Sequence, residues 1–289
     1  MIGFLLSQIL NTWEPVAKIP CPLNDLEPGE GVFYGADSLN RRVVAFDSLG
    51  NILWEFPFRK DIRGPFSLSW NGEHILVALE GHVALIGPDG KLGQIFETRG
   101  ALVQSVARSV AQYGNHILVL AYDPADGTVF QPFLSRGEKE RSFGLPADRA
   151  IAELYPGACT PVGLSVSPDT LLVFAVNPFH PKGMLYGNGR YLNSAKIPLE
   201  VEKATVTTEG RLVLRQVYSS AFSGDTVFLC VHVPLAGILK VFLYSVPKCS
   251  LLMTLEAPQG YQMANRLLRV EGDWLVLWGE KGVWRTKWR

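Results

Sequence analysis

The chain has 289 residues, of which 47% are hydrophobic and 19% are charged. This composition excludes an intrinsically disordered chain, because there is enough apolar material for a large core. The 27 Lys and Arg residues balance the 27 Asp and Glu residues, so no long-range field attracts phosphate or anionic lipid, and a nucleic-acid partner is disfavoured.

The cysteines and the amino-terminal segment indicate no special site. The four cysteines are far apart, with no CxxC pair and no histidine cluster nearby, which argues against zinc and against a disulfide framework, so we expect buried free thiols. The opening MIGFLLSQIL has no Lys or Arg before its apolar run and no clear cleavage site. A cleaved signal is therefore disfavoured, and a cytoplasmic location is favoured over secretion. No run approaches the roughly 18 apolar residues of a membrane span.

In chain order, the first regular feature is a motif that occurs six times. Each copy is a small turn residue, usually followed by an acid or Asn, and then a run of apolar strand formers. The copies are GEGVFYG from Gly29, GEHILVAL from Gly72, GNHILVLA from Gly114, PDTLLVFA from Pro168, GDTVFLCV from Gly224 and GDWLVLWG from Gly272. They start 43, 42, 54, 56 and 48 residues apart, which brackets the roughly 40 to 50 residues of a four-stranded propeller blade. The period predicts an all-β fold, a six-bladed β-propeller that occupies residues 1–289 as a single domain.

The order of strands within a blade follows from what surrounds each copy. Each copy suits the second strand, and the short runs FSLSW, VGLSVS and RLLRV suit innermost strands. The third blade is ambiguous, because ALVQSVARSVAQYG has the apolar spacing of an amphipathic helix where the repeat needs an inner strand. We follow the repeat and predict a strand. The segment PADRAIAELYPG, which ends in Pro156 and Gly157, is predicted as a short helix.

The last copy leaves its blade incomplete. Only two strands fit after Gly272, whereas the segment TWEPVAKIP near the amino terminus has no blade of its own. We therefore predict that residues 13–20 add the outer strand to residues 282–288. This closure removes the unpaired edges that an open array would expose.

One stretch in the first blade resembles a known family. Residues Ala36-Asp37-Ser38, Asn40, Arg42-Val43, Phe46-Asp47 and Gly50 resemble the NHL repeat, whose blades read A-D-S-x-N-x-R-V-x-x-F-D-x-x-G and commonly number six. The following LGNILWEF is similar to PQQ-like propeller repeats as well. In physical terms, Asp and Asn can cap the turn here, and the Arg42 guanidinium can bind carbonyls or an acid. We predict that Arg42 is structural.

The resemblance implies a scaffold and no particular chemistry. NHL-type propellers include protein-binding and RNA-binding modules, lactonases and a lyase, and a fold does not determine a function. No nucleophile elbow, HExxH pair, P-loop or dinucleotide fingerprint is present, which disfavours an enzyme. The sequence predicts no cofactor.

Two histidines share a position of the repeat. His74 and His116 stand where other copies carry Gly31, Thr170, Thr226 and Trp274. A position that accepts both Gly and Trp favours turn geometry over a metal ligand, so no metal site is predicted.

The carboxyl-terminal stretch is rich in tryptophan and cations. Trp274, Trp278, Trp284 and Trp288 fall in the last 16 residues, and VWRTKWR alternates aromatic and basic side chains. One interpretation is a docking strip for an acidic partner, a nucleic-acid strand or a membrane surface. We favour the other, in which the rings fill space beside the closing blade and the cations are solvated.

These observations favour a non-catalytic binding or assembly module that engages a protein, with a small ligand as an open possibility. The loops that meet the propeller axis are the expected site. The candidate binding residues on these loops are Arg63, Arg99, His180, Lys182, Tyr261, Gln262 and Asn265. Two alternatives stay open at this point: a metal-dependent hydrolase or lactonase with an axial metal, and a structural subunit of a larger assembly.

Overall fold

The computed structural model describes residues 13–98, 101–102, 110–123, 127–134, 136–144, 164–166, 172–176, 182–187, 189–196, 217–233, 238–245, 248, 250–256, 267–279 and 282–288. Their regular structure consists of β-strands. None of the described residues belongs to an apolar helix long enough to span a bilayer. The helix predicted at residues 146–157 lies outside the described residues.

The first thirteen strands lie within residues 14–134. They are β1 (Glu14–Ala17), β2 (Asp25–Pro28), β3 (Phe33–Asp37), β4 (Arg42–Phe46), β5 (Ile52–Pro57), β6 (Ser67–Trp70), β7 (Ile75–Leu79), β8 (His82–Ile86), β9 (Leu92–Glu97), β10 (Ala101–Leu102), β11 (Val110–Tyr113), β12 (His116–Asp123) and β13 (Thr128–Leu134).

The remaining strands follow in the second half. They are β14 (Leu164–Val166), β15 (Leu172–Val176), β16 (Lys182–Gly187), β17 (Arg190–Lys196), β18 (Val217–Ser223), β19 (Thr226–Val233), β20 (Ile238–Ser245), β21 (Ser250–Glu256), β22 (Leu267–Glu271), β23 (Trp274–Gly279) and β24 (Gly282–Lys287).

The described strands form six four-stranded antiparallel sheets. Sheet 1 is β2–β5, sheet 2 is β6–β9, sheet 3 is β10–β13, sheet 4 is β14–β17, sheet 5 is β18–β21, and sheet 6 is β22–β24 with β1. The first strand of each sheet contacts the first strand of the next, from β2 through β6, β11, β14 and β18 to β22, and β22 in turn contacts β2. The sheets therefore succeed one another in chain order, and the last lies beside the first.

The alternation of side chains explains which strands are interior. Every residue of β7 is buried, because sheet 2 is covered by sheet 1 on one face and by sheet 3 on the other. The outer strands β5 and β9 instead alternate exposed and half-buried residues, as expected for an edge that packs on one side only.

Sheet 3 has a divided inner strand. Both β10 and β11 pair with β12, at opposite ends of it, and the residues between them lie outside the described part of the chain. The choice of strand over helix is thus confirmed at both ends of this segment. The outer edge of the sheet is residues 139–143, which bridge to β13 through the pairs Phe130 with Phe143 and Phe133 with Lys139.

The amino-terminal strand completes sheet 6, as predicted. In the antiparallel pairing of β1 with β24, Glu14 lies opposite Arg285 and Ala17 opposite Val283. Beyond the strand, the Lys18 N–H donates to the Ser48 carbonyl of sheet 1 at 3.1 Å. The segment therefore joins the last sheet to the first.

The turns between first and second strands correct the register of the first motif copy. The Gly29 N–H donates to the Val32 carbonyl, just as the Asn71 N–H donates to the His74 carbonyl. Gly29 therefore matches Asn71 and not Gly72, and the residue that matches His74 is Val32 rather than Gly31. In sheet 1 the glycine with positive φ is Gly31, the second residue of its two-residue turn, whereas in sheet 2 it is Gly72, the first residue of the turn. Aligning the motif copies on their first glycine therefore shifts the first copy by one residue.

The first inner strand, β2, carries two acidic side chains. Asp25 and Glu27 of β2 are both buried. The Asp25 carboxylate accepts the Leu68 N–H at 2.8 Å, and the Glu27 carboxylate accepts the Trp70 N–H at 3.2 Å. These carboxylates join sheet 1 to sheet 2 by satisfying backbone donors of β6.

The carboxyl-terminal tryptophans largely fill space, as favoured from the sequence. Trp278 is buried between sheets 6 and 1. Trp288 packs edge-to-face on Phe228 at 4.8 Å and donates its indole N–H to the Gly272 carbonyl. The Arg285 guanidinium lies 4.1 Å from the centre of the Trp274 ring, so this cation packs against an indole as well as facing solvent.

The polar head of the β3–β4 hairpin is a connected cluster. The Arg42 Nε donates to the fully buried Asp37 carboxylate at 2.9 Å, and an Arg42 terminal nitrogen also bonds Glu55. The Asn40 backbone and side-chain amides both donate to Asp37. The structural role predicted for Arg42 is confirmed, since its guanidinium binds acids of its own sheet.

Cys21 lies beside this cluster. It is a free, half-buried thiol, and burial followed by the Asp37 charge raises its pKa. The side chains of the other three cysteines lie outside the described part of the chain.

Acidification should weaken the cluster. Burial alone would raise the pKa of Asp37, but hydrogen bonds from Asn40 and Arg42 outweigh it and hold the pKa below its ordinary value. Stability from a lowered pKa is complete above the unfolded value, about 3.9, and is lost as pH falls through the folded value. We expect Asp37→Asn to lower the free energy of unfolding by about 2 kcal/mol at pH 7. The difference from wild type should shrink between pH 4 and pH 2 in urea titrations. A difference independent of pH would contradict this role for the charge.

Candidate functional site

The strand order gives the molecule two faces with different loops. Successive antiparallel strands reverse direction, so the turns within a sheet alternate between its two ends. On the connection face lie the links between sheets and the turns between second and third strands. On the hairpin face lie the other turns of each sheet.

Two of the candidate binding residues from the sequence lie on the connection face within the described part of the chain. Arg63 lies there, 73% exposed, and its Nε is 3.4 Å from the Glu80 carboxylate. Lys182 is the first residue of β16, with its side chain outside the described part. The rest of the candidate set lies outside the described residues altogether: Arg99, His180, Tyr261, Gln262 and Asn265. The structure therefore brings together no two of these side chains within its described part.

The two repeat histidines each lie near one acid. The His116 Nε2 is 3.3 Å from the Glu140 carboxylate, and its ring stacks on Tyr113 at 4.9 Å. Burial, with a smaller contribution from Glu140, raises the pKa of Tyr113 to about 12. The His74 Nδ1 is 3.9 Å from the Glu73 carboxylate. Within the described part of the chain, no group of three His, Cys, Asp or Glu side chains could hold a metal ion.

The space between sheets 1 and 2 near the hairpin face is filled by aromatic rings. We call it the aromatic wedge. Tyr34 packs 6.0 Å from Trp54 and 5.2 Å from Trp70. The Trp54 indole N–H donates to the Pro88 carbonyl in a turn of sheet 2 at 2.9 Å. A Cβ added to Gly90 of that turn would lie 3.0 Å from the Trp54 ring, so glycine lets the indole lie flat on the turn.

The corresponding space between sheets 2 and 3 is a groove. We call it the polar groove; its volume is about 600 Å³. Its apolar floor is Leu85 and Ile117, while its walls carry amides, an imidazole and a carboxylate. The lining residues are Asn71, Glu73, His74, Leu85, Gly93, Gln94, Gln112, Gly114, Asn115 and Ile117.

Outer-strand register shows what replaces the indole of Trp54. Trp54 pairs with Ala45 beside the β-bulge of sheet 1, and Gln94 pairs with Leu85 beside the bulge of sheet 2. Gln94 therefore stands at the position of Trp54. Its side-chain amide donates to the Arg136 carbonyl at 2.9 Å, in the turn of sheet 3 that corresponds to the Pro88 turn.

The inner strands show the same replacement. Trp70 pairs with Ile75 before the turn of sheet 2, and Gln112 pairs with Ile117 before the turn of sheet 3. Gln112 is thus the counterpart of Trp70. By the same pairing rule, Leu76 is the counterpart of Tyr34. Two indoles and a phenol have given way to two amides and a leucine, which leaves the groove open.

Hydrogen bonds hold one wall of the polar groove in place. The Asn71 Oδ1 accepts the Glu73 and His74 backbone N–H groups at 2.8 and 2.6 Å. Its amide nitrogen bonds the Gln112 Oε1, and the Gln112 amide nitrogen donates to the Gly114 carbonyl. This wall is therefore pre-ordered before any ligand arrives.

Other polar groups in the polar groove are available to a ligand. Among the described residues, the Gln94 Oε1 and the Asn115 side-chain amide make no hydrogen bond within the protein. None of the described residues that line the groove is Ser, Thr, Cys or Lys, whose side chains act as nucleophiles in many enzymes. The arrangement is suited to holding a ligand by apolar contact and hydrogen bonds.

The sequence contains a signal for this groove that is hard to detect. Aligning NILWEF of β5 with KLGQIF of β9 places Trp54 over Gln94. The alignment has meaning only once it is known that these side chains face the next sheet.

Comparison with known proteins identifies the fold. No family model matches the chain, and no curated protein does. Virginiamycin B lyase from Staphylococcus aureus, as selenomethionine protein, superposes with a TM-score of 0.58 at 10% identity, over 96% of this chain and 98% of that one. A streptogramin B lyase gives 0.59 at 11%, over 97% and 99%. The Pan2 WD40 domain from Neurospora crassa gives 0.59 at 9%, over 92% and 78%. At such identities the likeness shows the fold alone, a β-propeller.

Proposed function

We propose that this protein is a non-catalytic binding module, built on a six-bladed β-propeller, that holds a segment of a partner protein in the polar groove. The observation that carries the proposal is the exchange of Trp54 and Trp70 in one wedge for Gln94 and Gln112 in the next.

The blade count is supported by the order of the sheets. Each of the six sheets is one blade, and the contacts of the first strands run from β2 to β22 and back to β2. The pairing of β1 with β24 supplies the fourth strand of the last blade. A ring closed in this way leaves no open edge between its first and last blades.

The binding role is supported by the stabilisation that buried aromatic rings would give at the polar groove and that the amides there do not give. An aromatic side chain buries about 150 to 250 Å², and each Å² of apolar area contributes about 25 cal/mol. The chain places the indoles of Trp54 and Trp70 between sheets 1 and 2 but amides at the equivalent positions between sheets 2 and 3, where the rings of Phe96 and Phe133 pack elsewhere in the core. Departures of this kind from the best packing are typical of functional sites.

One of the two alternatives from the sequence, a metal-dependent hydrolase or lactonase, involves catalysis. An axial metal would need carboxylates at inner strands, but those of Asp25 and Glu27 accept backbone donors of β6. The two lyases among the similar structures are enzymes by name, and at 10–11% identity they lend this chain only their fold. The connection-face residues, with Arg63 among them, stay a second candidate surface for the same partner.

The test is to fill the polar groove. Peptides selected from a random displayed library for binding to the wild-type protein should bind at least tenfold more weakly to the double variant Gln94→Trp, Gln112→Trp, because the new rings would occupy the space. Binding is measured by biolayer interferometry. The filled variant should unfold at or above the wild-type temperature, which separates blockage from misfolding.

Ile95→Trp is the matched control. It adds an indole to the same strand at a residue that is 40% exposed and that alternates away from Gln94. Its peptide binding should equal that of wild type. Peptides that bind the filled variant as well as wild type would contradict the proposed site.

A further inference from the structure

We infer that the polar groove recognises an aromatic side chain with a polar edge, a tryptophan or tyrosine of the partner segment. This inference rests on the proposed function and names the chemistry of its ligand. Its basis is that the aromatic wedge shows what the same architecture accepts at the equivalent place.

The shape of the groove suits an aromatic ring. In the aromatic wedge, Trp54 and Trp70 lie on either side of Tyr34, at 6.0 and 5.2 Å. Sheets 2 and 3 are held together by a comparable core that includes Leu76, Val110 and Val119. The groove, with a volume of about 600 Å³, lies where the two indoles would stand, so it has room for an aromatic ring.

A glycine keeps the mouth of the groove open. Gly93 occupies the position that Leu53 has in sheet 1, next to the site of the missing indole. A Cβ at Gly93 would lie 4.0 Å from the His74 ring. A larger side chain would extend over the mouth of the groove, whereas glycine leaves the mouth clear.

The groove also offers a hydrogen-bond acceptor to the polar edge of the ring. Buried indole N–H and phenol O–H groups need partners, and Trp54 satisfies its N–H on the Pro88 carbonyl. In the polar groove the corresponding turn already accepts the Gln94 amide at Arg136. The Gln94 Oε1 therefore remains as the acceptor for the N–H or O–H of an incoming ring. A leucine or phenylalanine would leave this oxygen unsatisfied.

The charges in the groove lining favour a neutral ligand. Among the described residues that line the groove, Glu73 is the one carboxylate and none is Lys or Arg. An acidic ligand would meet none of these cations, and its own desolvation would be unfavourable. A neutral aromatic ring over the apolar floor of Leu85 and Ile117 meets no such penalty.

The direct test uses single amino-acid amides. N-acetyl-tryptophanamide and N-acetyl-tyrosinamide should give saturable saturation-transfer NMR signals with the wild-type protein, and N-acetyl-leucinamide should give signals at least tenfold weaker at equal concentration. The signals should disappear with the Gln94→Trp, Gln112→Trp variant and persist with Ile95→Trp. Equal signals from the aromatic and leucine amides would overturn the inference, as would aromatic signals that survive filling of the groove.

A second measurement separates this inference from the proposed function. In the peptides whose binding depends on the open groove, replacing each Trp or Tyr in turn by Leu should weaken binding at least tenfold at one position. If groove-dependent peptides tolerate every such change, the aromatic specificity is wrong and the binding role stands. If no peptide depends on the groove but the aromatic amides bind there, the site takes a small aromatic ligand and the protein partner is wrong.

Discussion

Replacing Gly282 by alanine is expected to lower the free energy of unfolding by about 3 kcal/mol or more. Gly282 adopts φ +142°, and a Cβ there would lie 2.7 Å from the Ala17 carbonyl oxygen. The conformation is accessible essentially only to glycine, and the collision falls on backbone that cannot turn aside. The substitution therefore forces β1 away from β24. Urea unfolding followed by tryptophan fluorescence measures the change.

Gly272→Ala is the control for backbone strain alone. Gly272 also has a positive φ, +57°, but a Cβ there meets nothing within 4 Å. Its loss should be about 1 kcal/mol, the lower end for left-handed strain. Deleting residues 1–20 should destabilise the protein at least as much as Gly282→Ala, since it removes the whole closing strand. Equal losses from Gly282→Ala and Gly272→Ala, or unchanged unfolding of the truncated chain, would show that the closure does not support the ring.

The closing strand was predictable because counting strands was sufficient. The last copy of the repeat has too few residues for a four-stranded blade, so it needs a strand from elsewhere in the chain. The segment near the amino terminus that belonged to no blade was the candidate. The role of Arg42 was predictable for a related reason: a hairpin crowded with polar groups such as Asp37 and Asn40 gives a nearby cation an acid to bind. Both inferences depend on pattern and composition, which a sequence displays directly.

The inner strand β2 was not predictable in the same way. Its acids, Asp25 and Glu27, have the composition of a solvated turn, and Pro28 ends the strand. They are buried because backbone N–H groups of the next sheet reach them. Such partners come from another part of the chain, some 43 residues away, and no local signal announces them.

The polar groove was hidden by register. A β-bulge at the outer strands of sheets 1 and 2 shifts the alternation by one residue, so the side chain that faces the neighbouring sheet cannot be read from simple alternation. The turn of the first copy adds a second shift, at Gly29. Unless both register shifts are taken into account, the sequence does not show that Trp54 and Gln94 face the neighbouring sheet at equivalent positions.

Exchanging Trp54 for glutamine should reproduce the polar groove in the aromatic wedge. The substitution removes the ring that packs on Tyr34 and leaves a cavity, and we expect it to lower the free energy of unfolding by about 2 to 3 kcal/mol. Trp54→Phe keeps a ring but removes the N–H that donates to Pro88, and its loss should be about 1 kcal/mol. Urea unfolding of both variants measures the two contributions separately.

The same exchange should also create a second binding site. If a vacant wedge is what recognises an aromatic ring, Trp54→Gln should bind N-acetyl-tryptophanamide at two sites by NMR titration, where the wild-type protein binds at one. Combining Trp54→Gln with Gln94→Trp and Gln112→Trp should move the site, giving one site again, now between sheets 1 and 2. A Trp54→Gln protein that folds and loses stability as expected, yet gains no site, would show that the vacancy is insufficient. The recognition would then depend on groups found only in the polar groove, of which His74 and Asn115 are the first to replace.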